Sequence, residues 1–235
     1  MNKLVKIIVE ILLAVAAVGC VYGIYRSIMK PVNFNKEKAR RQEVAVQRLK
    51  DIRTLEVAFK GVNNRYTASI DSLIDFYNNG KMDIIMQVGS NDDSLAVENT
   101  NKYKNDKAFK KLSKEEQNAK FMELYRKGEK LVFSISTPIA VKDTLFNSRP
   151  DFCPDSLKYI PVSGKMPVET DAITKTVSGV QVPLFEARMP WKALLKGMDN
   201  QLRINLDAEC KDQNRYEGLQ VGSVNQPNNN AGNWE

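Results

Sequence analysis

The stretch from Leu4 to Ile28, almost free of charge, constrains this chain more than any other feature. At about 1.5 Å per residue a helix over it reaches about 37 Å, enough to cross a hydrocarbon core of about 30 Å with some tilt. Two fates are open to such a run: a secretory signal cut before a lipid-bearing Cys20, or an uncleaved span. Ala17-Val18-Gly19-Cys20 has the outline of a lipobox without its usual leucine three places before the cysteine. A secretory signal closes on small residues and gives way to polar sequence, yet here the run passes Cys20 into Val21-Tyr22-Gly23-Ile24-Tyr25. The sequence therefore predicts a retained single-pass helix in the cytoplasmic (inner) membrane.

Two patterns inside this segment point to packing. Glu10 is an ionisable side chain among apolar ones, and Lys6 lies one helical turn before it on the same face. The pair is either a snorkelling ion pair at the membrane boundary or a carboxylate that meets a partner helix. Ala16, Gly19, Cys20 and Gly23 follow at i, i+3, i+4 and i+7, and Gly19 with Gly23 has the GxxxG spacing that lets two helix backbones approach. This stripe is the predicted surface for membrane helix packing.

Beyond the span, Pro31 is expected to interrupt the helix, and a new amphipathic helix is predicted from about Lys36 to Gly61. Its residues Ala45, Leu49, Ile52 and Phe59 are nearly heptad-spaced, so one face must be covered by the protein's own body or by a neighbouring subunit. Asn63 to Tyr66 reads as a turn and Thr67 to Gly80 as a short helix with its closing turn. Ser113 and Glu116 match a capping box that starts a helix to about Lys127, ended by Gly128. "DIIMQVG", "KLVFSIST", "IAVKDTLF", "LKYIPV", "VQVPLFEARMP" and "LQVGSV" read as strands, with a short helix at Trp191 to Met198 and a polar, irregular tail. The expected fold class is α+β: a transmembrane helix, a long amphipathic helix, then a helix-plus-antiparallel-β periplasmic body. Linear segments follow as 1–30 (anchor), 31–80 (amphipathic and short helices), 81–130 (polar linker and charged helix) and 131–235 (β-rich body). Lys and Arg flank both ends of the span, so their count leaves the topology ambiguous; the body is assigned to the periplasm.

Little in the chain carries chemistry. It has no histidine, the commonest metal ligand and acid–base side chain near neutral pH. No phosphate-binding glycine loop, nucleophile elbow or CxxC occurs, and the acidic groups Asp92-Asp93, Glu115-Glu116 and Asp171 read as solvated carboxylates. No catalytic residue, cofactor or metal site is expected, and the chain is read as non-enzymatic. The net charge of +7 lies largely in two blocks, Lys36 to Arg53 and Lys102 to Lys130, where interleaved acids mark solvated helix faces; no nucleic-acid partner is expected. Cys153 and Cys210 form one disulfide or stay as two free thiols.

Two resemblances add to this. "KIIVEILLAVAAVG" and "LEVAFKGVNNRYTASIDSLID" resemble the N-terminal stem of type IV pilins and pseudopilins, an apolar helix with an early glutamate that ends in an Asn/Gly-rich turn and a short helix. Val5 and Lys6 stand where that family has a glycine and an aromatic residue at its cleavage point, so the resemblance implies an uncleaved stem. Over nearly the whole chain, "MKPVNFNKEK", "VAVQRLKDIRTLEVAFKGVNNRYTASIDSLIDF", "GSNDDSLAVENT", "FNSRPDFCPDSLKYIPVSG" and "PNNNAGNWE" are similar to a group of single-span inner-membrane proteins of the Bacteroidota encoded beside ExbB and ExbD, the motor that energises TonB. This second resemblance implies a bitopic subunit of a proton-motive-force-driven envelope complex, with ExbB/ExbD-type proteins and the bilayer as partners. The alternative is an uncleaved pseudopilin-like component of a secretion or fibre-forming machine, with self-association. A third possibility is an anchored periplasmic binding module.

Overall fold

A computed structural model describes residues 3–235, with side chains at Ile7 and from Glu10 onward. In chain order the elements are α1 (Lys3–Asn63), α2 (Ile70–Asn79), β1 (Lys81–Val88), α3 (Ser94–Asn105), α4 (Lys107–Lys110), α5 (Lys114–Arg126), β2 (Phe133–Ala140), α6 (Val141–Thr144), a 3-10 turn (Pro154–Lys158), β3 (Glu169–Val177), β4 (Val180–Pro190), α7 (Trp191–Leu194), α8 (Asn200–Asp212) and β5 (Gly218–Gly222). This is a mixed helical and antiparallel-sheet protein with a long apolar N-terminal helix. Its contacts form two compact units, Met1–Ile74 with Cys153–Glu235 and, inserted between them in sequence, Asp75–Phe152. These units cut across the linear segments 1–30, 31–80, 81–130 and 131–235: β2 falls in one unit and β3 to β5 in the other.

The break expected at Pro31 is absent. α1 is a single helix of 61 residues with Pro31 inside it. Proline lacks the N–H that would reach the carbonyl four residues back, at Ser27, so the forfeited bond is one among many. Helix on both sides holds the local dihedrals, and propagation needs no second nucleus. The anchor and the amphipathic helix are therefore one stem.

In the first unit the second half of α1 lies on the three-stranded antiparallel sheet β3-β4-β5, contacting β5 and β4. The heptad face is covered by the chain's own body: Ala45, Leu49, Ile52 and Leu55 are completely buried. On the sheet, Phe185, Ala187 and Met189 alternate along β4, and register pairs Ala187 with Val221 and Met189 with Leu219 of β5, all buried. Leu184 and Glu186, on the other face of β4, are buried as well, so this central strand is covered on both faces over that stretch. β3 and β4 join through a two-residue turn at Ser178 (φ +51°) and Gly179 (φ +82°), the left-handed pair that matches strand twist in a tight hairpin. The C-terminal tail bridges Val221 to Gly232, and Asn233 Nδ2 donates to the Gly218 carbonyl at 2.9 Å.

In the second unit β1 and β2 form a two-stranded antiparallel ribbon with continuous register from Lys81↔Ala140 to Val88↔Phe133. Phe109, Phe121, Leu131 and Phe133 make its core, with the Phe121 and Phe133 rings stacked at 5.2 Å. The capping box forms as expected: Glu116 N–H donates to Ser113 Oγ (3.3 Å) and Ser113 N–H to Glu116 Oε2 (2.8 Å). Gly128 follows the helix at φ +92°.

Several assignments change. "IAVKDTLF" ends β2 and then turns helical at Val141–Thr144, and "LKYIPV" is a 3-10 turn followed by one isolated bridge, Tyr159↔Pro167. The helix at Trp191 has four residues and stops before Gly197 (φ +82°). α3, α8 and β3 occupy sequence read as polar linker or left unassigned. Cys153 and Cys210 are free thiols, Cys153 exposed and Cys210 buried, so the alternative of a disulfide between them is not realised.

Candidate assembly surface on the stem

The apolar half of α1 has the length and composition to cross a membrane, and no part of its most apolar window is buried. Apolar side chains from Ile11 to Ile28 are exposed all round the helix, Val18 by 71%. A helix that is apolar on every side needs an apolar surround. Within it Ala16, Gly19, Cys20 and Gly23 share one exposed face. A Cβ added at Gly19 or Gly23 would meet nothing within 4 Å, so no contact inside the chain requires glycine at either place. Glu10 is exposed; the Lys6 side chain lies outside the described residues, and with it the Lys6–Glu10 pair.

Where the apolar run ends, a series of cations ties the stem to the body. Lys30 Nζ is 2.6 Å from Asp199 Oδ2 at the start of α8. Arg41 Nη1 donates to the carbonyls of Leu194 (3.0 Å) and Lys196 (2.9 Å) while its Nε holds Glu37 (2.8 Å). Arg48 donates to the Tyr159 carbonyl. Arg53 Nη1 reaches the Asn230 carbonyl at 3.3 Å and Glu235 Oε1 at 2.7 Å. The basic block read as a solvated face is thus partly a clamp: the fork geometry of guanidinium suits carbonyls presented by loops. Arg40 and Arg41 hold the Glu37 carboxyl down at about 2, and Lys30 with the Leu202 N–H lowers that of Asp199. Burial lowers Arg48.

One carboxyl sits in the packed face itself. Glu56 is 1% exposed, its Oε2 accepting from the Thr67 N–H at 3.2 Å. Burial pushes its pKa up to about 8, partly offset by that amide, so it is held protonated near neutral pH. The sequence carried a signal for it that the apolar pattern passed over: Ala45, Leu49, Ile52, position 56 and Phe59 follow at four, three, four and three, and a glutamate fills the fourth place.

Three of the acids read as solvated have local structural work. Asp93 caps α3 through the Leu95 and Ala96 N–H groups, Glu116 closes its capping box, and Asp171 accepts from the Ala172 N–H. Among the described residues no group of three His, Cys, Asp or Glu side chains could hold a metal ion. No protein family, curated protein or solved structure matches the chain.

Proposed function

We propose that this chain is a non-enzymatic, single-span subunit of an envelope assembly in the cytoplasmic membrane. Its apolar stem packs against other helices in the bilayer, and its body makes protein contacts on the periplasmic side. The observation that carries the reading is the division of α1, one unbroken helix with its first half free of the body and its second half bedded on β4 and β5. Such a stem passes any position set by helix packing straight to the body, which suits a subunit stacked in a fixed orientation. It supports the pseudopilin-like form of the proposal, a component of a secretion or fibre-forming machine. The second reading, a subunit of a TonB/ExbB/ExbD-type complex driven by the proton-motive force, is supported by the open Ala16/Gly19/Cys20/Gly23 face, which would serve equally for packing on a partner's helix.

The native Cys20 on that face provides the test. With Cys153 and Cys210 replaced by serine, mild oxidation in membranes should cross-link Cys20 between copies, and Gly19→Leu with Gly23→Leu should abolish the product. Co-isolation of ExbB and ExbD without that cross-link would move the assignment to the motor complex. A monomer with a bound small molecule would favour the anchored binding module. Intact mass tests the anchor: a lipid on Cys20 or a missing N-terminus would overturn the uncleaved span.

A further inference from the structure

The antiparallel ribbon of the second unit has two outer edges, and they are finished differently. Val141 N–H donates to the Gly80 carbonyl at 3.1 Å, directly before the pair Lys81↔Ala140. Bonded pairs alternate along an antiparallel ladder, so Met82, Ile84, Met86 and Val88 bond to β2, and Lys81, Asp83, Ile85 and Gln87 turn their N–H and C=O groups to the free side. On β2 the outward groups belong to Ser134, Ser136, Pro138 and Ala140. Pro138 has no N–H, and just before the strand the Val132 N–H is taken by Thr100 Oγ1 of α3 (2.8 Å), with Asn99 Nδ2 donating to the Lys130 carbonyl (3.2 Å). The β2 edge is thus interrupted near one end and capped by a helix at the other, two of the ways in which a sheet edge is closed to pairing. β1 has neither device: it contains no proline, and among the described residues no strand pairs with its outer side.

The side chains of β1 match that open backbone. Ile85 is 70% exposed on a ribbon face that otherwise carries Asp83, Gln87, Ser134 and Ser136. On the opposite face Ile84 (37%) and Met86 (52%) continue, toward the open edge, the apolar surface that Val88, Phe133 and Ile135 bury against the second unit's core. A two-stranded sheet is marginal by itself, and a flat apolar edge is a template for a further strand. The sequence of β1 favours its own twin as that strand. A twofold axis perpendicular to the sheet pairs two copies antiparallel and keeps each face on its own side, so even residues meet even and odd meet odd. An axis at Asp83 sets two aspartates face to face, one at Ile84 sets Asp83 against Ile85, and one at Met86 sets Ile85 against Gln87. With the axis at Ile85, Ile85 meets Ile85, Asp83 meets Gln87, Ile84 meets Met86 and Met82 meets Val88: polar on polar, apolar on apolar, and no like charges opposed.

We propose that β1 is a docking edge for a second copy of this chain: two copies join through β1 about a twofold axis at Ile85, and two ribbons become one four-stranded antiparallel sheet of order β2-β1-β1-β2. The outward groups of Asp83, Ile85 and Gln87 then make about six backbone hydrogen bonds between the copies, and the apolar faces of the two ribbons become continuous. Edge pairing of this kind belongs to the small, reversible class of interface, below about 1,200 Å². It concerns the second unit alone and stands whether or not α1 crosses a membrane.

The test follows amide hydrogen exchange, residue by residue, in the full chain in mild detergent over a range of protein concentration. The N–H groups of Asp83, Ile85 and Gln87 should exchange about tenfold more slowly once most copies are paired. Those of Ile84 and Met86, bonded to β2, should be slow at every concentration and report that the ribbon is folded. Ile85→Lys and Ile85→Glu each oppose like charges at the axis and should lose the concentration-dependent protection, and an equimolar mixture of the two should regain it. Exchange at Asp83, Ile85 and Gln87 that does not depend on concentration would overturn the proposal and leave the edge to a strand of another protein. Protection that persists in Ile85→Lys alone, or that the mixture fails to restore, would overturn the pairing about Ile85.

Discussion

Replacing Glu56 by glutamine removes a buried proton from the linkage between pH and folding. In the folded chain the carboxyl titrates at about 8, raised from the ordinary 4.5 by burial under the loop that carries Thr67. Below about 4.5 both folded and unfolded chains hold the proton and the group has no effect on stability. Between about 4.5 and 8 the unfolded chain has released it and the folded chain has not, so stability falls as pH rises, by about 1.4 kcal/mol per pH unit. The loss accumulates to about 3 kcal/mol at pH 7 as an order of magnitude. Glutamine keeps an oxygen for the Thr67 N–H and does not titrate. Its amide adds a buried donor, which shifts stability by a constant without creating a slope. The assay is urea denaturation of the full chain and the Glu56→Gln chain in one mild detergent at several pH values. Trp191 and Trp234 serve as probes, both in the unit that contains Glu56. Lowered carboxyls such as Glu37 change stability with pH only below about 4.5, outside this window, and cancel in the difference. The variant should gain on the parent steadily from about pH 5 to 8. Parallel profiles would refute the protonated, buried state of Glu56.

The same denaturation assay checks three further substitutions. Leu49→Ala empties a completely buried position between stem and sheet and should cost about 2–5 kcal/mol, whereas Val44→Ala, on the half-exposed opposite face, should cost well under half of that. Arg41→Ala strands the Leu194 and Lys196 carbonyls and should cost about 1.5–3 kcal/mol, with Arg41→Lys restoring little because an ammonium lacks the fork. Gly222→Ala should cost upward of about 2 kcal/mol, since φ is +72° and the new Cβ would lie 2.3 Å from the Phe185 carbonyl oxygen. For this last variant, unchanged stability would mean that β5 does not end in the left-handed turn described.

What the sequence announced and what it concealed divide along physical lines. The apolar run, the heptad face and the strands β1, β2, β4 and β5 were legible because each buries a periodic set of side chains or is rich in β-branched residues. α8 buries only Cys210 and α3 only Ala96 and Thr100, so neither has an apolar stripe to read; their caps, Asp199 and Asp93, were the available signals. β3 is an edge strand with a mostly open surface, and "ETDAITKTV" alternates weakly. The continuity at Pro31 was hidden because a local rule reads proline as punctuation, while in a long helix the lost bond and the crowding of the ring against the Ser27 carbonyl are borne by helix on both sides. The small-residue face of the candidate surface was visible in its spacing. The clamp was not, since sequence shows the charge of Arg41, Arg48 and Arg53 but not the carbonyls they meet.

Those concealed features explain why the stem and the sheet it lies on should act as one piece. A heptad face alone permits sliding by a turn, since Ala45, Leu49 and Ile52 would find apolar neighbours again about 5.4 Å along. Directional bonds remove that freedom. Arg41, Arg48 and Arg53 each donate to a backbone carbonyl from a different loop, and a shift of one turn would break all three at once. Glu56 adds a fourth constraint, because away from the Thr67 N–H its buried carboxyl would lose the only hydrogen bond described for it. The register of stem on sheet is thus set by polar groups and its affinity by apolar ones. A chain built in this way carries displacement of its apolar segment to the sheet β3-β4-β5 without a compliant joint between them.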